Sequence, residues 1–324
     1  MAAAQRVGLG IVITVLVIII GGFTAVALFA AFGAPGSAGP GEAPIDNPLN
    51  GRALYVDPDS SAANADREGE TAEFALLADT PAAIWLLPEE NEADTIGPFV
   101  QSIVAAAAAV DEVPVFVVYG IPDRDCGNQS AGGTDDYPAW IAALATGLSG
   151  GDSVLILEPD ALSLSVQCGN VDERTAQISG AIDVLAPTGS IIYLDAGHSN
   201  WNAPDLSAQL LTAAGIDRVR GFATNVSNFN TTADEIAYAD RVSALTNGAH
   251  YVIDTSRNGN GSNGEWCNPS GRAVGDPPSV VTDGTELDAL LWIKTAGESD
   301  GTCNGGPKAG EWWPEMARQL IAGR

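Results

Sequence analysis

Seven runs of apolar residues recur along this chain, and several of them finish on polar or acidic groups. Val154–Leu157 is followed at once by Glu158, Pro159 and Asp160, and residues 191–194 end on Asp195. Residues 115–119 lead to Arg124, Asp125 and Cys126, and residues 290–293 lead to Lys294, Glu298 and Asp300. A run without polar alternation reads as a strand buried on both faces, as in a parallel sheet covered by helices. Polar groups placed just past such strands gather at one rim, where parallel α/β proteins keep their chemistry.

The predicted strands are residues 82–87, 113–119, 154–157, 191–194, 221–224, 251–253 and 290–293. Between them, Ala-rich stretches with spaced large apolar residues predict helices at 97–110, 137–148, 175–185, 203–214 and 232–246. Alternating strands and helices make parallel βαβ units, and their number favours an α/β fold of a distorted (β/α) TIM-like barrel with about seven parallel strands. No glycine-rich phosphate loop follows the first strand, so a dinucleotide-binding sheet loses its support. The Gly/Asn-rich stretch at 257–264 is a long loop of the kind that shapes a cleft.

Residues 7–32 carry no charged group, and a helix of that length spans a hydrocarbon core of about 30 Å. Arg6 on its N-terminal side places that end in the cytoplasm and exports the remainder of the chain. The small residues Gly36, Ser37 and Ala38 suit cleavage after export, so residues 1–32 read as a signal peptide or a retained membrane anchor. Residues 33–46, dense in Gly and Pro, read as a tether, and the folded domain is expected at 47–324. A secreted or extracellular protein is the expectation, with membrane contact only through the N-terminal segment.

Charge narrows the partners. The chain has 41 Asp plus Glu against 14 Lys plus Arg, a formal charge of −27. Such a field repels phosphate backbones, which argues against nucleic acid and for a neutral polymer or small molecule. The same acidity also serves solubility, since the acids are spread rather than blocked.

Four cysteines, Cys126, Cys168, Cys267 and Cys303, allow three pairings, and export favours bridges over free thiols. Sequence neighbourhood suggests Cys126 with Cys168 and Cys267 with Cys303, each closing a loop worth about 3–4 kcal/mol in the chain-entropy model. A zinc site is the competing reading, and no two cysteines have its close spacing.

The segments Tyr119-Gly120-Ile121-Pro122-Asp123-Arg124-Asp125-Cys126-Gly127 and Leu155-Ile156-Leu157-Glu158-Pro159-Asp160-Ala161-Leu162 resemble the two signatures of glycoside hydrolase family 6, the cellulase family. Further matches run in the family's order: Asp195-Ala196-Gly197-His198, Asn225-Val226-Ser227-Asn228, Asp254-Thr255-Ser256-Arg257-Asn258-Gly259, Glu265-Trp266-Cys267, and Lys294 with Gly297-Glu298-Ser299-Asp300-Gly301. The resemblance implies hydrolysis of internal β-1,4-glucosidic bonds in cellulose or related β-glucans, with inversion, no metal, no organic cofactor and a monomeric barrel. Its rivals are an exo-acting cellobiohydrolase, a glucan-binding barrel that cuts nothing, and a metal-dependent hydrolase that uses the Asp cluster as ligands. Short segments around Cys267 and from 300 to 314 favour an open cleft and endo action.

Glycoside hydrolysis needs a carboxylic acid to protonate the departing oxygen and a route for deprotonating water. The resemblance assigns the acid to Asp160, with Asp125 raising its pKa and ordering water, and Asp300 as candidate base. An alternative route passes the water's proton through a chain of waters near Asp125. Asp195, Tyr119 and Ser130 are supporting candidates. Ser130 is followed by Ala131 where the family commonly has a water-holding serine on a mobile loop. Sugar rings pack C–H faces on aromatic surfaces and offer hydroxyls to amides and charges. The resemblance makes Trp85, Trp201 and Trp266 candidate platforms, with Asn225, Lys294 and Glu298 as hydroxyl partners, and His198, placed at the rim, is a further candidate for substrate contact. For each Asp the bland alternative is a helix cap or, for Asp300, a salt bridge with Lys294 or Arg257.

Overall fold

The computed structural model describes residues 47–69 and 72–324. The apolar segment at 7–32 and the tether at 33–46 lie outside the described residues. Among the described residues no helix is long and apolar enough to cross a membrane.

In chain order the elements begin with β1 (Ala53–Leu54), α1 (Ser61–Glu68), α2 (Ala75–Ala78), β2 (Ile84–Leu86), α3 (Ile96–Ala109), β3 (Glu112–Val113), β4 (Val115–Val118) and α4 (Tyr137–Leu148). They continue with β5 (Val154–Leu157), α5 (Ala161–Cys168), α6 (Val171–Leu185), β6 (Ile191–Asp195), α7 (Pro204–Ala214), β7 (Gly221–Thr224) and α8 (Thr232–Leu245). The last are β8 (His250–Asp254), β9 (Ser279–Val280), β10 (Leu287–Leu291) and α9 (Pro314–Ala322). An eight-stranded sheet has the order β2-β4-β5-β6-β7-β8-β10-β9, with every pairing parallel except that of β9 with β10. The seven parallel strands are those the apolar runs predict, curled as in a distorted TIM-like barrel.

The strand alternation explains why both faces are apolar. Val115, Val117, Val154, Ile156, Tyr193, Ala223 and Val252 form one core on the inner face. Phe116, Val118, Leu155, Leu157, Ile192, Leu194, Phe222, Tyr251 and Ile253 form the other, against the helices. Among the described residues the barrel does not close by a ladder. Between β2 and the end of β10 runs a backbone bond from the Ala83 amide to the Trp292 carbonyl, 2.8 Å, and the gap leaves room for a cleft.

Three expectations shift. The predicted strand 113–119 splits at Pro114, which has no amide hydrogen: Glu112 and Val113 pair with β1, and Val115–Val118 enter the barrel. The last barrel strand is Leu287–Leu291 rather than 290–293. Trp292 leaves the ladder to pack with Phe74, Leu77, Met316 and Leu320 in a separate core under α9. Helix α5, at Ala161–Cys168, is absent from the predicted helices and follows β5 after the short turn from Glu158 to Asp160.

Candidate active site

The ends of β4, β5, β6, β8 and β10 converge on one rim, and each brings an acid. The chain leaving β5 turns sharply, with Glu158 at φ +51° and Asp160 at φ +68°, both in the left-handed region. Such strain at a non-glycine residue persists only where surrounding bonds over-determine it. Here they do. Both Glu158 oxygens accept the Gly120 amide, at 2.9 and 3.2 Å, and Oε2 also takes the Ile121 amide at 3.3 Å. The Asp160 amide donates to Asp195 Oδ2 at 2.9 Å, and that oxygen takes the Gly197 amide at 3.0 Å. The turn after β4, the turn after β5 and the end of β6 are thereby fastened to one another through carboxylates.

A cavity of about 630 Å³ opens above this rim, and its wall includes Trp85, Tyr119, Ser130, Asp160, Trp266, Lys294, Glu298 and Asp300. Burial, and then the charges of Asp195, Asp125 and Asp300, raise the Asp160 carboxyl well above the ordinary range. Burial likewise raises Asp195 to about 7, against the pull of the Asp160 and Gly197 amides and with help from Glu235 and Asp254. Glu158 is also raised to about 7 by burial, with its two backbone donors opposing. The arrangement keeps protons on carboxyl groups at a pH where an exposed acid has lost them.

Asp125 stands beside the cavity at φ +55°, and its Oδ2 accepts the Ser130 amide at 2.9 Å. Arg124, absent from the sequence-derived candidates, fixes this loop. Its guanidinium donates to the Ser130 carbonyl at 2.8 Å and the Tyr119 carbonyl at 3.0 Å, pairs with Glu89 at 3.1 Å, and lies 4.5 Å over the Tyr119 ring. Glu89 in turn accepts the Gly133 amide at 2.7 Å. Gly133 has φ +97°, and a Cβ there would stand 2.0 Å from the Ile121 carbonyl oxygen, so only glycine lets the loop fold back this closely.

Asp300 has both oxygens engaged: Oδ1 by Arg257 at 2.8 Å and Oδ2 by the Asn268 amide at 3.0 Å. Arg257 is fully buried and stacks 4.5 Å over Phe229. The salt-bridge alternative for Asp300 is therefore present in the structure, with Arg257 as the partner.

Among the aromatic candidates, Trp85 lies edge-on to Tyr119 and ties its indole N–H to the Ile293 carbonyl at 2.9 Å. The Lys294 ammonium is 5.4 Å from the Trp85 ring and 3.6 Å from Glu298, whose other oxygen accepts the Ser61 hydroxyl at 2.9 Å. Trp266 is 54 % exposed, a flat apolar surface open to the cleft. Trp201 and His198 pair with each other, ring centroids 5.3 Å apart, outside the cavity wall. Burial lowers His198 to about 4, so the ring is neutral.

Asn225 departs from its expected role. It is 0 % exposed, and its amide donates to the Asn230 and Asp254 carbonyls while its oxygen takes the Asn230 amide. With these groups spent on the loop after β7, it braces the rim from below instead of meeting a hydroxyl.

The sequence places Glu158 and Arg124 at the rim and Asp254 in a family motif without assigning any of them a role, and it does not single out Glu235 at all. Asp254 ends β8 and accepts four amides, from Ser256 and Ile293 on Oδ1 and from Ser227 and Lys294 on Oδ2. The acid-after-strand signal that singled out Asp195 also applies to it.

Both disulfides form as sequence neighbourhood suggests, Cys126–Cys168 and Cys267–Cys303, with Cα separations of 6.0 and 6.1 Å. No cysteine is free, which removes the zinc reading. Among the described residues no three His, Cys, Asp or Glu side chains group as a metal site would require.

A family model for glycosyl hydrolases family 6 matches residues 49–324. Endoglucanase A of Cellulomonas fimi is 44 % identical over 272 residues, 82 % of this chain and 60 % of that protein. The chain thus spans less than two thirds of that relative's length. Endoglucanase 1 of Streptomyces halstedii is 41 % identical over 292 residues, 83 % of this chain and 88 % of that protein. Among solved structures, the endoglucanase Cel6 of Mycobacterium tuberculosis, in complex with methyl-cellobiosyl-4-deoxy-4-thio-β-D-cellobioside, superposes with a TM-score of 0.82 at 44 % identity, covering 86 % of this chain and 99 % of that one. With a family model spanning the rim and its carboxylates, and relatives matched along the same stretch, the chain belongs to glycosyl hydrolases family 6.

Proposed function

We propose that this protein is an exported endo-β-1,4-glucanase that hydrolyses cellulose or related β-glucans with inversion at the anomeric carbon. The observation that carries the reading is the Asp160 carboxyl, set on the cavity wall and kept protonated by burial and by Asp195, Asp125 and Asp300. A carboxylic acid in that state donates its proton to the glycosidic oxygen as the C–O bond breaks.

Inversion needs a water on the opposite face of the sugar and a path for its proton. Asp125, held by the Ser130 amide beside the cavity, supports the water-ordering role. As a base, Asp300 would have to accept a proton while bound by Arg257 and Asn268, which favours a relay through water near Asp125, with Asp300 as the electrostatic anchor. Trp85 and Trp266 offer flat surfaces to sugar faces, and Lys294 and Glu298 offer a cation and an anion to hydroxyls. The two disulfides and the apolar segment at 7–32 support secretion.

One contact favours an exo-like second reading. Gln129 Oε1 accepts the Thr302 amide at 3.1 Å, so the loop after β4 touches the loop after β10 across the cleft. Viscosity of carboxymethyl cellulose separates the modes: endo action lowers it far faster than reducing ends accumulate. For the chemistry, Asp160→Asn and Asp160→Ala are expected to lose about 10²–10⁴ in kcat on that substrate. Near-normal turnover by either variant sinks the acid assignment.

A further inference from the structure

Six large apolar side chains stand exposed among the described residues: Phe99, Val110, Val166, Val184, Leu245 and Trp266. Two of them are aromatic, and of the six those two alone line the cavity. Neither ring pairs with another aromatic ring or with a cation among the described residues. Single apolar side chains on a surface need no purpose, whereas aromatic surface gathered on the wall of one cleft marks a place for a ligand. Trp266 has a place in the reading above. Phe99 has none.

The core does not need Phe99. Helix α3 turns Ile96, Val100, Val104 and Ala107 inward, and Phe99, at the flank of that stripe, is left 37 % exposed. A helical side chain leans towards the N-terminus of its helix, which for Phe99 is the turn that joins β2 to α3. That turn continues from Trp85. Trp85 and Leu87 both pack on the inner core, and Leu87 lines the cavity two residues further along. The Leu87 carbonyl accepts the Glu90 amide at 3.1 Å and the Asn91 amide at 2.9 Å, and the Trp140 indole N–H holds the Asn91 carbonyl at 2.8 Å, so the turn is fixed. Glu90 also lines the cavity, and its carboxyl makes no hydrogen bond among the described residues. Burial, and then the charges of Glu298 and Glu89, raise that carboxyl, which accords with a place beside the Glu298 and Lys294 pair at Trp85. From Trp85 the wall thus runs on through Leu87 and Glu90 to Phe99. Apolar surface with one unspent carboxyl suits a pyranose, which has a C–H face and a rim of hydroxyls.

We propose that Phe99 is a specificity-determining residue for long chains: it carries one further sugar of a β-1,4-glucan, past the unit on Trp85, with Glu90 accepting from that sugar's hydroxyls. This rests on the reading of the cavity as a glucan cleft. A short oligosaccharide that spans Asp160 and ends at Trp85 does not reach the ring, so the contact rewards chain length. Its energy goes into binding, since the ring stands away from the bond that breaks.

The test compares cellotetraose with cellohexaose. Phe99→Ala should lower kcat/KM about three- to tenfold on cellohexaose and less than about twofold on cellotetraose. An unchanged value on cellohexaose, or an equal fall on both, overturns the proposal. Phe99→Tyr keeps the flat ring and should stay near wild type, whereas Phe99→Leu keeps apolar bulk without the ring and should fall as alanine does. A leucine variant that retains the full preference for cellohexaose overturns the platform, and it decides the matter if the alanine variant does not fold. Calorimetric binding to Asp160→Asn protein gives a readout that needs no turnover. Adding Phe99→Ala should weaken cellohexaose about three- to tenfold there, and undiminished affinity overturns the proposal while leaving the glucan cleft intact. If cellohexaose does not bind Asp160→Asn protein at all, the glucan reading itself falls, and the role of Phe99 with it.

Discussion

The two ends of the barrel both carry buried aspartates and treat them in opposite ways. At the N-terminal end of the strands, Asp288 is 1 % exposed and sits where the register between β10 and β8 shifts, between Leu287 and Ala289. Arg220 grips it through two bonds of 2.8 and 2.9 Å, the Tyr193 hydroxyl donates at 2.7 Å, and His250 Nδ1 is 3.1 Å away. At the C-terminal end, the buried Asp195 accepts backbone amides, one of them Asp160's own, and the partly exposed Asp160 carboxyl feels the charges of other carboxylates, with no cation bonded to either among the described residues. A buried ion pair is costly to break from one side, whereas a buried carboxyl without a cation holds a proton ready to give away.

The largest effect expected from breaking this contrast is at the stabilising end. Asp288→Ala removes the buried carboxylate that Arg220, the Tyr193 hydroxyl and His250 surround and should cost about 3–5 kcal/mol in denaturant unfolding, with kcat per folded molecule nearly unchanged. A loss below about 1 kcal/mol would mean that the cluster is ornamental.

The mirror experiment at the other rim is Asp160→Asn, whose folded state should survive while turnover collapses. Its stability also carries a signed pH dependence. Because the folded pKa of Asp160 lies above the unfolded value, its contribution is present below about pH 4 and is lost as pH rises through the raised value. Asp195 and Glu158, raised to about 7, act in the same direction between about pH 4 and pH 7. Wild-type stability should therefore fall with pH in that range, by up to about 1.4 kcal/mol per unit for each group. Asp160→Asn should show a shallower fall in melting temperature, and parallel curves would refute the uncompensated-carboxyl account.

The smallest effect belongs to the edge of the cleft. Trp266→Ala removes an exposed surface and leaves the carboxyl network in place. A rise in KM of about three- to tenfold, with kcat held, corresponds to an aromatic contact worth about 0.5–1.5 kcal/mol.

The strands of the barrel were legible because continuous apolar runs leave few alternatives, and five of its helices because their Ala-rich faces have helical spacing. Helix α5 was not, since its first residue follows an acid in a left-handed conformation, which no propensity signals. Trp292 and Ile293 read as strand from hydropathy alone, and only the separate core under α9 shows why Trp292 turns out of the ladder. The carboxylates at the cavity were legible through their place after strands. Glu158 was legible in place but not in role, and Glu235 in neither, because what they do lies in burial and in amide bonds to distant segments, which a sequence does not display.

The two disulfides each join segments on one bank of the cleft: Cys126 to Cys168 on the Asp125 side, Cys267 to Cys303 on the Asp300 side. No sulfur bridge crosses from bank to bank. Thiol treatment therefore slackens each bank separately, and the spacing between them stays with the strand frame beneath. A long polymer laid crosswise meets a gorge whose width is set by hydrogen-bonded backbone, and which the contact between Gln129 and Thr302 spans.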